Sequence, residues 1–311
     1  MKLNDWLNIW LNKYVKMSAK LRTYNIYKET IEKHINPVLG KYELEELTPD
    51  ILQNFVLEKK EKGNLITGGQ LANNTVIGMT NLLKQAIKDA ILLGNSSLGA
   101  TPYVKLPTPN EKEVTAFEKC EQEKLEKFCL NSKKKNYVGI VICLYTGIRL
   151  GELLSLTWND VDFDKRYLYI NKTTYTAKRD DKYTTIIDTP KTKSSTRVIP
   201  LPKQIVDILK KMKRSSKSNY IISTNKSKIV GTRSYQRTFE TIQKKLSIPY
   251  KNFHSLRHTF ATRAIEMGMD VKTLSEILGH KNPVITLTRY THSMMSYKTD
   301  MMNKMGKMLA V

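Results

Sequence analysis

Three prolines within ten residues, Pro102, Pro107 and Pro109 in TPYVKLPTPN, impose the strongest constraint on how this chain can fold. Each holds φ near one value and lacks an amide hydrogen, so no helix runs through the stretch and an extended, semi-rigid connector is favoured. The chain is therefore expected to fold as two bodies. The linker is placed at residues 107–113, between a first domain over 1–106 and a second over 114–311. With 311 residues there is ample chain for two cores of ordinary size.

Before the connector the apolar residues recur at helical spacing. Leu3, Leu7, Trp10, Leu11 and Tyr14 mark a first helix, and a second is expected over 19–35, stopped by Pro37 and Gly40. Thr48-Pro49-Asp50 is an N-cap followed by proline in the first helical turn, opening a third helix that ends by Gly63. A fourth begins near Asn74 and closes at Gly94-Asn95. Four helices with short loops make a bundle, whose Leu and aromatic stripes are core.

After the connector come an acidic helix (117–130), an apolar one (137–145) broken by Thr146-Gly147, and a third from Arg149 to near Trp158. The β-branched and aromatic runs at 167–175, 184–187 and 196–199 predict three short antiparallel strands. Helices follow at 202–213 and 232–246. The fold class is mainly α with a small antiparallel β-sheet.

The formal charge of +23 is unevenly spread. Through Asn110 there are 14 Lys and Arg against 10 Asp and Glu; beyond it, 38 against 19. Residues 165–251 alone hold 22 against 5. Positive charge gathered in this way implies a polyanionic partner, nucleic acid above all, with the runs Lys133–Lys135 and Lys210–Lys217 as phosphate contacts or solvated surface. Cys120, Cys129 and Cys143 are too few and too scattered for a disulfide framework or a zinc site, and are expected to be buried free thiols in a reducing cytoplasm. The first residues, MKLNDWLNIWLNKYVK, lack the apolar core of a signal peptide, and no stretch of 18 apolar residues occurs, so no membrane association is expected.

The densest grouping of reactive side chains lies in NFHSLRHTFATRAIEMGMDVKTLSEILGHKNPVITLTRYTH, residues 252–292. His254 and Arg257 lie three apart, on one side of a helix that should stop at Gly268. Asp270 is the N-cap of a helix ending at Gly279-His280, and Pro283 opens a third segment carrying Arg289-Tyr290. Taken singly, a histidine, an arginine or one of 16 tyrosines carries little information. Their order and spacing carry more. The segment resembles the C-terminal signature of the tyrosine recombinases, the phage-integrase family: His-x-x-Arg at His254 and Arg257, Leu-Gly-His at Leu278-Gly279-His280, Tyr-Thr-His at Tyr290-Thr291-His292. Two further boxes agree. Thr146 to Leu153 (TGIRLGEL) is similar to the family's first arginine box, and Thr189-Pro190-Lys191-Thr192-Lys193 with Arg197 resembles the strand-turn-strand bearing its lysine.

The resemblance implies a SAM-like, helical core-binding domain followed by an α+β catalytic domain. It also implies cleavage and rejoining of DNA through a 3′-phosphotyrosyl intermediate, with no ATP. Phosphodiester displacement accumulates negative charge on the non-bridging oxygens, which fixed guanidinium groups stabilise; Arg149 and Arg257 are the candidates. By the family's assignments Tyr290 is the nucleophile, His254 a general acid/base and His280 a phosphate hydrogen-bond donor. Lys191 is the candidate to protonate the leaving 5′-oxygen, with Lys193 as runner-up. Glu152 is expected to hold a basic catalytic side chain, and Lys193 and Arg197 to contact DNA. Asp160, Asp162 and Asp164 lack the Gly and Glu of a calcium loop, so neither metal nor cofactor is expected.

The expected partner is double-stranded DNA carrying paired recombination sites. A homotetramer is expected on DNA and a monomer or weak oligomer off it, with accessory DNA-bending or directionality proteins possible partners. The expected location is the cytoplasm, on the nucleoid when bound. Met301, Met302, Met305 and Leu309 form an apolar stripe that either folds back or docks into a neighbouring subunit. The first helix begins almost at Met1, so the resemblance implies either a shorter recombinase that needs only core sites or one from which the arm-binding domain of many integrases has been removed. Relaxation of supercoils in the manner of a type IB topoisomerase, and DNA binding by a catalytically silent regulator, are the competing readings.

Overall fold

The computed structural model describes residues 1–110, 115–179, 182–189 and 196–280, together with 282, 284, 299, 302, 303 and 305–307. Two compact units emerge: Met1–Lys112 with Ala177–Lys182, and Glu113–Thr176 with Tyr183–Val311.

In the first unit α1 (Leu3–Ile9) passes through a π-helical turn (Trp10–Val15) into α2 (Lys16–Ser18). The next helix repeats the device: α3 (Leu21–Thr30), a π turn (Ile31–Ile35), then α4 (Asn36–Leu39). Pro37 therefore sits inside α4 rather than stopping the helix before it. The wider π turn accommodates a residue that lacks an N–H and would crowd a regular α-helical turn. Helices α5 (Pro49–Lys62) and α6 (Asn73–Leu92) complete the bundle, and Thr48 caps α5 by accepting a hydrogen bond from the Ile51 amide. The core is built from the expected stripes, with Leu3, Trp6 and Leu7 fully buried. Two indoles find acceptors: Trp6 donates to the Ala86 carbonyl at 2.8 Å and Trp10 to the Asp89 carboxylate at 2.7 Å. The proline-rich stretch lies along this unit, where Val104 is buried and Asn73 donates to the Thr108 carbonyl at 2.8 Å.

The second unit is organised around α8 (Val138–Thr146), which is apolar nearly all round and buried except at Tyr145. It packs against α7 (Lys119–Leu130), which precedes it, and against a helix from the C-terminal signature. After α8 come α9 (Leu150–Ser155), then β1 (Val161–Asp162), β2 (Tyr167–Ile170), β3 (Thr173–Arg179), β4 (Lys182–Asp188) and β5 (Arg197–Pro200). Helices α10 (Lys203–Arg214), α11 (Thr232–Lys245), α12 (Ser255–Glu266) and α13 (Val271–Leu278) follow.

Among the described residues five strands therefore form where three were expected, in two sheets ordered β1-β2-β5 and β3-β4. The run 167–175 is divided at Lys172. Its carbonyl accepts from the Ser155 hydroxyl, and its ammonium reaches the buried Asp160 at 2.7 Å, so the backbone leaves the first sheet there. The antiparallel register sets Arg197 opposite Ile170. One burial expectation also fails. Cys120 is exposed while Cys129 and Cys143 are buried, because Cys120 occupies the first turn of α7 on its solvent side. Tyr145 is 39% exposed, on the outward face of α8. No described helix is long and apolar enough to cross a membrane.

Candidate active site

The site is built on the last turn of α13. Asp270 caps its start by accepting from the Thr273 amide at 2.9 Å. Gly279, at φ +66°, reverses its end, so that the His280 amide donates to the Ser275 carbonyl and the Gly279 amide to that of Glu276. That double closure satisfies two terminal carbonyls and leaves the next ones open at the negative end of the helix. Each of the next three takes an arginine. Arg197 Nε donates to Ile277 O at 2.6 Å, Arg257 Nη2 to Leu278 O at 2.7 Å and Arg149 Nη2 to Gly279 O at 3.3 Å. Residues remote in sequence thus converge on three consecutive carbonyls.

Arg257 is 1% exposed, and its Nη1 donates to Gly147 O at 2.9 Å. Gly147 closes α8 at φ +63°, and a Cβ there would collide with the Phe260 and Leu278 side chains. The turn to Arg149 therefore requires glycine. Between α12 and α13 a small cluster (Ala261, Ala264, Ile265, Leu274, Leu278) holds the two helices together.

Glu152 ties the arginines to one another. Its carboxylate accepts from the Arg149 amide at 2.9 Å and from Arg149 Nη1 at 2.8 Å, and Arg197 reaches both oxygens at 3.1 and 2.8 Å. Burial alone would raise this acid. The hydrogen bonds and charge of Arg197, followed by the charge of Arg149, instead bring its pKa down to about 2. The carboxylate is ionised and buried between two cations.

The profile of the phage integrase family matches residues 116–296, and that of its N-terminal SAM-like domain matches residues 2–59. A XerC-like tyrosine recombinase of Caldanaerobacter subterraneus is 30% identical, over 96% of this chain and 81% of the relative. The chain belongs to the phage integrase family. It is accordingly a tyrosine recombinase, a site-specific DNA strand transferase. The Tn916 transposase of Enterococcus faecalis is 26% identical over 94% of the chain and 76% of the relative. The fold is that of the Tn1549 integrase solved with circular-intermediate DNA (TM-score 0.79, 22% identity, 98% and 99% of the two chains). It is also that of lambda integrase solved as a tetramer on a Holliday junction (TM-score 0.68, 19% identity, 91% and 78%).

In this integrase the structure brings Arg149, Glu152, Arg257 and the backbone of His280 together. His254 lies at the start of α12, exposed, with its ring edge-on to that of His258 at 4.6 Å between centroids. Lys191, Lys193 and Tyr290 lie outside the described residues, as do Met301 and Leu309 of the C-terminal stripe, whereas Met302 and Met305 are exposed. Arg197 departs from expectation: its side chain is only 6% exposed, turned inward onto Glu152 and α13 rather than outward to DNA. His258 went unread in the sequence, although its spacing of four from His254 places both on one helical face. Two of the three aspartates are engaged within the fold. Asp160 is paired with Lys172, Asp162 accepts from the Asp164 and Lys165 amides, and no metal-binding group occurs among the described residues.

A second basic feature lies at the opposite end of α8 from Arg149. A cavity of about 1160 Å³ is lined there by Lys133, Lys134, Lys135, Lys217, Lys226 and Lys228, with serines between them and no carboxylate among its described lining.

Proposed function

We propose that Tyr290 attacks a DNA phosphodiester to give a 3′-phosphotyrosyl bond, releasing a 5′-hydroxyl that later reverses the step on a new partner strand. The phosphorus–oxygen bond to tyrosine replaces the one broken, so rejoining needs no ATP. Arg149 and Arg257 stabilise the charge that develops on the phosphate, His280 donates a hydrogen bond to it, and His254 exchanges the proton of the phenol. Lys191, with Lys193 as the alternative, protonates the leaving oxygen. The observation supporting this reading is the convergence of Arg149 and Arg257 on neighbouring carbonyls of α13, one residue before His280. The lysine cavity contacts the DNA backbone. The domains act as a core-binding part over 1–106 and a catalytic part over 114–311, joined by 107–113. The working assembly is a tetramer on two paired sites, with the Met301–Leu309 stripe docked in a neighbouring subunit, operating in the cytoplasm.

The test uses a nicked suicide duplex carrying the joined ends of the element in which the gene lies. A covalent protein–DNA adduct should accumulate, be unaffected by EDTA and vanish in Tyr290→Phe. An adduct that persists in Tyr290→Phe would overturn the nucleophile, and an absolute need for magnesium would overturn the metal-free route.

A further inference from the structure

Arg197 sits where a DNA contact was expected, yet its geometry is that of an internal brace. It reaches both oxygens of Glu152 and the Ile277 carbonyl, and its side chain is 6% exposed against 37% for Arg149. We propose that Arg197 is a positioning residue for strand transfer, fixing Glu152 and the end of α13 so that Arg149 keeps both its orientation and its charge for the phosphate.

The argument is first one of charge. Glu152 paired with Arg149 alone would be neutral, and the carboxylate would compete with a phosphate for that guanidinium. With Arg197 engaged at both oxygens, the trio keeps one net positive charge, held on its more exposed member. It is next one of shape. One guanidinium bonds a carboxylate through two nitrogens and a backbone carbonyl through the third, a planar fork that an ammonium group cannot reproduce. The carbonyl it holds is two residues before the one bonded by Arg149 and three before His280, so β5 braces the turn from which those groups are presented. A buried guanidinium so engaged is not presented to the DNA backbone.

The inference rests on the phosphotyrosyl reading, and Arg197→Lys separates the two roles because it keeps the charge and loses the fork. Single-turnover adduct formation is measured at saturating protein on the same suicide duplex, with affinity for a 30-bp duplex followed over a salt series. The expected result is a ten- to hundredfold slower adduct step in Arg197→Lys. Affinity should stay within twofold, with an unchanged salt slope. Adding Glu152→Gln should cost less than a further twofold, since both residues act through one cluster.

For a phosphate contact, Arg197→Met should instead lower the salt slope by about one while leaving the rate of the bound complex intact, and that result would overturn the proposal. A lowered thermal midpoint with a normal adduct rate below it would reduce Arg197 to a stabilising residue and overturn it equally. If the unaltered protein forms no Tyr290-dependent adduct, the proposed function fails first and takes this inference with it.

Discussion

The two units differ in what they bury. Among the described residues the first hides only two polar side chains, Lys59 and Thr80, within a core of leucine, isoleucine and aromatic stripes. The second hides thirteen, including Arg257, Glu152, Asp160 and His258. Transferring such groups from water costs several kcal/mol each unless they are paired. For its buried arginines the second unit meets that cost with the end of α13 and the Glu152 carboxylate, and for Asp160 with Lys172. The first core is thus held mostly by apolar packing, whereas the second organises cations in a dry place.

The contrast can be broken most severely at Glu152. Glu152→Ala leaves one buried and one half-exposed guanidinium without their counter-charge and should cost about 3–5 kcal/mol of stability in urea unfolding. Cleavage should be lost with it. A cost below about 1 kcal/mol would show that the carboxylate is not the electrostatic centre of the unit.

Acid sharpens the same point. The Glu152 pKa is depressed from 4.5 to about 2 in the fold, so its stabilisation is fully present above pH 4.5 and is lost as pH falls towards 2. By linkage it amounts to roughly 3 kcal/mol. Glu152→Gln should flatten the stability–pH curve in that window, measured by urea midpoints at each pH. An unaltered slope would place the acid sensitivity elsewhere.

The first unit should yield smaller, local effects. Trp10→Phe removes one hydrogen bond to Asp89 and should cost about 1 kcal/mol. Thr48→Ala removes the cap of α5 and should cost about the same or less, its bond to the Ile51 amide being long at 3.4 Å. Neither should alter the salt dependence of DNA binding, which the lysine cavity should. Replacing Lys226 and Lys228 by alanine should lower the salt slope by up to about two.

Much of this architecture is written locally in the sequence. Thr48-Pro49 opens α5, Asp270 opens α13, and Gly147 and Gly279 close their helices at positive φ, each through a preference of one or two residues. The π turns escape such reading because the pattern 3–15 suits either helix type. Lys172 divides a strand only because Asp160 lies within reach.

The residue types of the candidate site, and their order, are likewise present in the linear chain. What only the tertiary structure decided is the partition of its arginines. Arg149 and Arg197 are equally basic in the sequence, yet one is half-exposed and the other faces inward. Burial and hydrogen bonding depend on which carbonyls and carboxylates lie within reach, and those come from elements 45 to 130 residues away.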